Sequence, residues 1–217
     1  MKILKTGLIL AVLTGVSGCM TMNEATTRNA PFENKLERGK VAPNYLLTGF
    51  TVNVPRTLTV SEANAFYPNA DVVWRGEPLG DRREQVNAIM SKAAQVALQG
   101  TGGDVPAIVD IEITQFHALT EKARYSTGGW HTIAYTYSLR DPETGAVIAA
   151  PQKVKTTFGA YGGDRALQAD AAGHTQKARI TSHLINSLRK EVLHLGPLKP
   201  STEVQLTQPE PPKLHKL

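Results

Sequence analysis

Cysteine is nearly missing from this chain, since Cys19 is the only one among its 217 residues. No intramolecular disulfide can therefore stabilise the fold, and metal sites built on cysteine pairs are excluded. The folded domain must gain its stability from a buried hydrophobic core, which a domain of about 150 residues supplies without cross-links. The one cysteine needs another explanation.

The apolar run at the start of the chain is too short to cross a membrane. Residues 7–16 are almost all apolar and uncharged, whereas a membrane-spanning helix needs about 20 such residues. Lys2 and Lys5 precede this run, and the small residues 17–18 follow it. A positive start, a short apolar run and a small-residue cleavage site are typical of a secretory signal peptide, so we predict one over residues 1–18.

Residues 16–19, Val-Ser-Gly-Cys, resemble the lipobox of bacterial lipoproteins, with valine where leucine is usual. The resemblance implies that the Cys19 sulfur receives a diacylglycerol, that a peptidase cuts before Cys19, and that the new amine is acylated, for example with palmitate. Two or three acyl chains anchor a protein stably, because each buried methylene contributes about 0.8 kcal/mol. Met20 stands where aspartate would retain an enterobacterial lipoprotein in the inner membrane. We therefore expect a lipid-anchored, periplasm-facing protein of the outer membrane; a plain secreted protein with Cys19 as a bystander is the alternative.

Neither sign of charge dominates the mature chain. Removal of residues 1–18 takes Lys2 and Lys5 away, which leaves 22 of the 24 basic residues against 19 acidic ones and a net charge of +3 with neutral histidines. So small a charge gives no electrostatic footprint for nucleic acid, and an envelope location also argues against such a partner. The expected partners are the membrane, through the lipid on Cys19, and an unidentified envelope protein.

The two ends of the mature chain have little that a core could bury. Residues 19–44 are polar without sustained periodicity, and we interpret them as a flexible tether between the lipid and the domain. Residues 197–217 contain five prolines, which predicts a disordered, partly extended tail. One domain is expected between them, over residues 45–196.

Hydrophobic periodicity predicts the elements of that domain. Alternating apolar residues predict strands over 48–54 with a continuation at 57–60, and over 71–74, 107–117, 131–140 and 146–158. Helical spacing predicts a helix over 81–99, with Asp81 as its N-cap, and one long final helix that Asp164 caps. This order predicts an α+β fold, a mostly antiparallel sheet of about five strands with the two main helices packed on one face. The other face is expected to be open to water, because each strand has a polar side.

Asp110 and Glu112 form the most suggestive acidic pair. Their spacing on a strand puts both carboxylates on one face, roughly 6–7 Å apart. Such a pair would suit glycoside hydrolysis or a cation site. The alternative is a solvated strand face on which they pair with Arg140, Lys153 or Lys155. The sequence favours that alternative, because nothing in it predicts a pocket around the two acids.

Motifs for other chemistries are missing. His117, His131 and His174 lack the spacing of two metal-ligating histidines on one helix, and no phosphate-binding glycine loop is found. No Gly-x-Ser-x-Gly elbow of a serine hydrolase occurs. We therefore expect no metal and no cofactor, and we lean against an enzyme.

Arg82 and Arg83 are unusual for the first turn of a helix, because cations there oppose the helix dipole. Together with free backbone amides they would form an anion-binding site, for example for a lipid phosphate. The alternative is that Asp81 and Glu84 neutralise them locally.

The connection over residues 118–130 is long for a link between two strands of a sheet. It carries Arg124, Tyr125 and Trp130, side chains that are common in interaction surfaces. The alternative is an exposed hairpin end with an aromatic residue folded back on the sheet.

Four stretches of the domain resemble a family of uncharacterised lipoproteins from proteobacteria. They are VPRTLTVSE (54–62), WRGEPLGDR (74–82), HALTEKARY (117–125) and YGGDRA (161–166), and the resemblance covers most of residues 45–195. It implies an envelope location and no particular activity. We therefore expect a non-catalytic binding or accessory component. A hydrolase or transferase that uses the strand carboxylates, and a lipid- or phosphate-binding transport accessory module, are the alternatives.

Overall fold

Alternation between apolar and polar residues builds a five-stranded sheet in the computed structural model, which describes residues 45–194. The strands are β1 (Tyr45–Asn53), β2 (Val72–Val73), β3 (Val105–His117), β4 (Gly129–Arg140) and β5 (Val147–Ala160). The helices are α1 (Arg82–Ala97), α2 (Glu121–Arg124), α3 (Gly163–Ala171) and α4 (Gln176–Glu191). The signal peptide, tether and tail predicted over 1–18, 19–44 and 197–217 lie outside the described residues. Within 45–194, no helix has the length and apolarity needed to span a bilayer.

The sheet has the order β1-β3-β4-β5, and the short β2 also pairs with β3. β3, β4 and β5 form two long antiparallel ladders. β1 and β2 run parallel to β3, and α1 lies in the crossover connection that such parallel pairs require. The predicted α+β class and mostly antiparallel sheet are confirmed, but the parallel direction of β1 was not predicted, since alternation alone does not give strand direction.

One face of the sheet carries the hydrophobic core. Inward side chains of β3 and β4 share a single buried cluster with apolar side chains of α1 and α4. The largest fully buried side chains of the cluster are Trp74, Tyr135, Phe116, Ile89, Met90, Ile111, Ile113, Ile133, Leu139, Ile180, Leu184 and Leu188. Burial of such side chains stabilises the fold by about 1.5–3 kcal/mol each. The opposite side of β3 carries Asp110, Glu112 and Thr114, which are partly or fully exposed.

The α1 helix has the predicted position and cap. The Asp81 side chain accepts hydrogen bonds from the backbone amides of Arg83 and Glu84, at 2.8 and 3.2 Å. The helix ends at Ala97, with Leu98 as its C-cap. The prediction of a helix over 81–99 is therefore confirmed to within two residues at each end.

The predicted strand continuation at 57–60 is wrong. β1 ends at Asn53, two residues before Pro55, and only Val60 makes an isolated bridge, to Val72. The physical reason is that proline cannot donate to a strand ladder.

The predicted long final helix is also wrong, because two helices, α3 and α4, stand in its place. Between them Gly173 has a φ of +79°, a left-handed conformation that glycine adopts without steric cost. The Thr175 side chain then caps α4 by accepting a hydrogen bond from the Ala178 amide at 3.2 Å. Asp164 is not the cap of α3, since Gly162 holds that position and Asp164 lies in the first turn.

Two turns meet beside the start of α3. A Cβ atom on Gly128, before β4, would lie 2.7 Å from the Gly162 nitrogen, and a Cβ atom on Gly162 would overlap the backbone of Gly128. Neither position accepts a side chain unless the two turns separate. The contact fixes the end of β5, and with it Tyr161, against the turn that precedes β4.

Candidate functional site

The strand carboxylates Asp110 and Glu112 lie on the exposed face of the sheet. The Nε atom of Arg140 is 2.8 Å from Asp110 Oδ2, and the Thr51 hydroxyl donates to Asp110 Oδ1 at 2.6 Å. The Asn53 side chain donates to Glu112 Oε2 at 3.0 Å. Cross-strand partners therefore hold both carboxylates, and this geometry favours the solvated-face interpretation over acid–base chemistry.

Arg82 is almost completely buried at the start of α1, with 5% of its surface exposed. Its Nε and Nη2 atoms donate to the two carboxylate oxygens of Glu62 at 2.6 and 3.0 Å. Its Nη1 atom donates to the carbonyl oxygens of Glu77 and Pro78 and to Gln85 Oε1. The hydrogen bond from Arg82 lowers the pKa of the Glu62 carboxyl. Arg82 therefore ties the preceding segment onto α1, and its donors face protein acceptors.

Arg83 donates to the carbonyl oxygens of Arg56 and Leu58. It lines a groove of about 270 Å³ that also contains the carboxylates of Asp81 and Glu84. Acidic neighbours and internal acceptors give this groove little attraction for an anion. Glu62, and not Asp81 or Glu84, pairs with Arg82 and removes it from the predicted two-arginine anion site. Arg83 forms no ion pair within residues 45–194, and its Nε atom is buried without a partner, but the groove that it lines also contains two carboxylates.

The connection over 118–130 contains a helical turn, α2, which Thr120 caps. Arg124 turns inward and forms an ion pair with Asp170 of α3. Tyr125 and Trp130 are 54% and 68% exposed, and Trp130 already belongs to β4. Tyr125 and Trp130 are therefore exposed on the surface, as an interaction surface requires. Arg124 is not part of that surface, because it pairs with Asp170 of α3.

A larger groove, which the sequence did not indicate, lies between the end of β5, the α3–α4 turn and α4. It has a volume of about 530 Å³. Five of its lining side chains can donate hydrogen bonds, namely His174, Arg179, Ser182, His183 and Asn186, and none of its described lining residues carries a carboxylate. An aromatic wall is formed by Phe158 and His183, whose rings stack with centroids 3.9 Å apart.

Arg179 is the main charge of this groove and is half-buried. Its Nη2 atom donates to the Gly159 carbonyl oxygen at 2.8 Å, and its guanidinium carbon lies 3.5 Å from the centroid of the Tyr161 ring. Arg165 lies 3.9 Å from the same centroid. Burial lowers the pKa of Arg179, and the positive charges of Arg165 and Arg124 lower it further. The region around Tyr161 is therefore strongly positive.

A small cavity of about 10 Å³ lies behind Arg179, with His131 and Gln176 among its lining residues. His131 Nδ1 and Gln176 Oε1 are buried without a hydrogen-bond partner, although Gln176 Nε2 donates to the Leu119 carbonyl oxygen. Burial lowers the pKa of His131 to about 3, so the imidazole is neutral at neutral pH. A cavity of this size holds about one water molecule.

Of the three histidines considered from the sequence, His131 and His174 line the same small cavity and His117 lies elsewhere. Among residues 45–194, no group of three or more histidine, cysteine or acidic side chains is placed to hold a metal ion. His117 contacts the Ala70 carbonyl oxygen beside β2, whereas His131 and His174 lie near Arg179. One sequence signal for this region does exist: His131 occupies an inward position of β4, in phase with Ile133, and a polar residue on a core face calls for a partner.

The domain matches one family of unknown function. The sequence model of the family DUF6778 matches residues 45–208. All four stretches that resemble uncharacterised lipoproteins lie within that range, so the expectation of an uncharacterised family is confirmed. No curated protein matches the chain.

Several solved structures are distantly similar. A protein of the DUF330 family from Xanthomonas campestris is 11% identical, with a TM-score of 0.40 over 68% of this chain and 85% of that one. A putative lipoprotein from Caulobacter crescentus CB15 is 11% identical, with a TM-score of 0.34 over 64% and 84%. The PelC dodecamer from Paraburkholderia phytofirmans is 14% identical, with a TM-score of 0.31 over 70% and 89%. At such TM-scores these proteins transfer neither function nor assembly to this chain.

Proposed function

The chain belongs to the DUF6778 family, whose function is unknown, and we propose from its own residues that it is a lipid-anchored binding protein of the cell envelope. The observation that carries this proposal is the Val-Ser-Gly-Cys stretch at 16–19, which follows the positive start and the short apolar run at 7–16. Acylation of Cys19 would hold the mature domain at a membrane surface. Met20 supports the outer membrane, facing the periplasm, as the destination.

A binding role without catalysis accounts for the polar features of the domain. The carboxylate pair Asp110 and Glu112 is held by Arg140, Thr51 and Asn53 on an open sheet face. The groove beside α4 offers hydrogen-bond donors and an aromatic wall, and the Nε2 atom of His183, one of its two histidines, is hydrogen-bonded to the Thr156 hydroxyl. These features support recognition of a ligand or partner.

The anchor is tested by comparing the full-length protein with its Cys19→Ser variant in a bacterial host. We expect the wild-type protein to begin at Cys19, to carry the mass of a diacylglycerol and an acyl chain, and to sediment with membranes. The Cys19→Ser variant should carry no acyl mass and accumulate with residues 1–18 attached. A Thr21→Ser variant is the matched control, because it changes a neighbouring residue outside the lipobox and should behave as wild type. Unmodified Cys19 in a mature wild-type protein would refute the proposal.

The choice of membrane is tested by density-gradient separation of inner and outer membranes. Wild-type protein should lie in the outer-membrane fraction, and a Met20→Asp variant should move to the inner-membrane fraction. If both proteins sediment with the inner membrane, the lipid anchor stands but the outer-membrane assignment is wrong.

A further inference from the structure

Arg179 carries a half-buried charge for which residues 45–194 provide no carboxylate. The ion pairs in that part of the chain include Arg82 with Glu62 and Arg124 with Asp170, but none reaches Arg179. A charge that is withdrawn from water without a counter-ion costs free energy. The contacts that Arg179 makes, with a carbonyl oxygen and the face of a tyrosine ring, leave its charge uncompensated.

Two unpartnered polar atoms lie directly behind this charge. His131 Nδ1 and Gln176 Oε1 have no hydrogen-bond partner, and the two residues are 1% and 4% exposed. Both side chains line the small cavity. Arg179 and His174 line this cavity as well, and they also line the larger groove, so the two spaces are adjacent. Buried polar groups in folded proteins are almost always hydrogen-bonded. The small cavity has room for about one water molecule, which can donate to Gln176 Oε1 and bond to His131 Nδ1. These two atoms therefore mark a hydrated polar pocket behind Arg179, and neither compensates its charge.

We propose that the groove binds a phosphate group, which Arg179 and His174 hold at the end of the groove beside the small cavity. The planar guanidinium group matches two phosphate oxygens with two parallel donors. Arg165 adds a second positive charge at the same tyrosine ring, and no ion pair within residues 45–194 involves it. A phosphate monoester carries about −1.5 to −2 charges at pH 7 and therefore balances the two arginines.

The rest of the ligand lies along α4. Ser182, His183 and Asn186 supply polar groups along the groove, and the Phe158 ring supplies an apolar wall. The volume of about 530 Å³ falls within the range of roughly 300–1,000 Å³ that is common for small-molecule sites. The ligand is accordingly a phosphate monoester with a polar body. A soluble phosphate ester and the headgroup of phosphatidic acid share this chemistry.

This assignment names a ligand class for the binding role proposed above, but it depends on the folded domain and not on the lipid at Cys19. The two proposals therefore fail separately. Loss of membrane anchoring leaves phosphate binding intact, and absence of phosphate binding leaves the acylation of Cys19 unaffected.

Isothermal titration calorimetry on the full-length protein in a neutral detergent tests the site. The probes are inorganic phosphate and dihexanoyl phosphatidic acid, with dihexanoyl phosphatidylcholine as a zwitterionic lipid for comparison. We expect saturable binding of phosphate with one site per chain. Arg179→Gln should weaken it by at least about tenfold, as expected for loss of a charged hydrogen-bond pair. Tighter binding of phosphatidic acid than of phosphate would identify a lipid as the source, and equal binding would identify a soluble ester.

Lys190→Gln is the matched control, because it removes the same charge from an exposed position of the same helix. It should bind phosphate as wild type does. His174→Ala provides a second variant in an exposed turn, where the substitution does not threaten the fold, and it should also weaken binding. The proposal is overturned if wild type does not bind phosphate saturably, or if Lys190→Gln reduces binding as much as Arg179→Gln. It is also overturned if two single variants, His174→Ala and Arg179→Lys, both fold cooperatively and both bind phosphate as tightly as wild type does.

Discussion

The starts of α1 and α4 both contain arginines, and the surroundings of the two guanidinium groups differ. Arg82 is buried against both carboxylate oxygens of Glu62 and three further acceptors. Arg179, the fourth residue of α4, faces a groove without a carboxylate and lies beside Arg165 and Tyr161. Arg82 is therefore structural, because Glu62 supplies its counter-ion, whereas the charge of Arg179 remains for a ligand to balance in a groove whose described lining holds no carboxylate.

The largest effect is expected at the start of α1. An Arg82→Met variant leaves the Glu77 carbonyl oxygen without its Arg82 donor and removes two of the hydrogen bonds to the Glu62 carboxylate. Gln85 still donates to the Pro78 carbonyl oxygen, and Arg75 still pairs with Glu62. Breaking a fully buried ion pair costs about 3–5 kcal/mol. Because the Glu62 side chain is 43% exposed and water can solvate it, we expect a loss of roughly 2–3 kcal/mol. Urea unfolding at pH 7 measures this loss, and a change below about 0.5 kcal/mol would contradict a structural role for Arg82.

The next effect concerns the pH dependence of stability at His131, behind Arg179. The pKa of His131 is about 3 in the folded protein against an ordinary value of 6.5. Between these values the unfolded chain binds a proton that the folded chain does not, so stability is full above pH 6.5 and falls as the pH falls. The slope from this group is at most about 1.4 kcal/mol per pH unit.

A His131→Leu variant should lose most of that slope in urea unfolding between pH 6.5 and 4.5. His183, whose pKa burial also lowers, remains in the variant and contributes a smaller slope of the same sign. Unchanged pH dependence in His131→Leu would show that the buried imidazole is not the group responsible.

A smaller change in stability is expected for Arg179→Gln. The variant loses the contact with Tyr161, which is worth about 0.5–1 kcal/mol, but it also relieves an unpaired half-buried charge. We expect these terms to offset each other to within about 0.5 kcal/mol. If Arg179→Gln were as destabilising as Arg82→Met, the distinction between the two arginines would fail, even if phosphate binding were also lost.

The smallest effect is expected on the open sheet face. An Asp110→Asn variant removes a partly exposed pair with Arg140, and such pairs contribute about 0–1 kcal/mol. Thermal unfolding should therefore change little. Raising the salt concentration to 1 M should reduce the difference between wild type and variant further, because salt screens exposed charges. A decrease of more than about 2 kcal/mol in the free energy of unfolding would contradict the description of Asp110 and Arg140 as a partly exposed ion pair.

Local signals in the sequence predicted local structure well. Asp81 marks the start of α1, and the alternation from Val109 to Ile113 and from Ile133 to Leu139 gives the buried faces of β3 and β4. The break between α3 and α4 was not predicted. The helical spacing of apolar residues is continuous there, although Gly173 is a helix-ending residue and Thr175 is of a type that caps helices. The parallel direction of β1 depends on the α1 crossover, which hydrophobic alternation does not record.

The groove was beyond prediction for a related reason. Its walls come from β5, the α3–α4 turn and α4, and the cavity behind it adds His131 from β4 and Arg124 from α2. No short motif contains these residues. The sequence shows that Arg82 and Arg179 are arginines, but only the folded structure shows that Glu62 reaches the first and no carboxylate within 45–194 reaches the second.

The contact between Gly128 and Gly162 has a consequence for genetics. Neither glycine lines the groove, yet Tyr161, on which Arg165 and Arg179 lie, is the immediate neighbour of Gly162. A side chain at either glycine forces the two turns apart and moves the tyrosine that positions both cations. A screen for loss of the proposed phosphate binding should therefore recover substitutions at Gly128 and Gly162, although neither residue lines the groove.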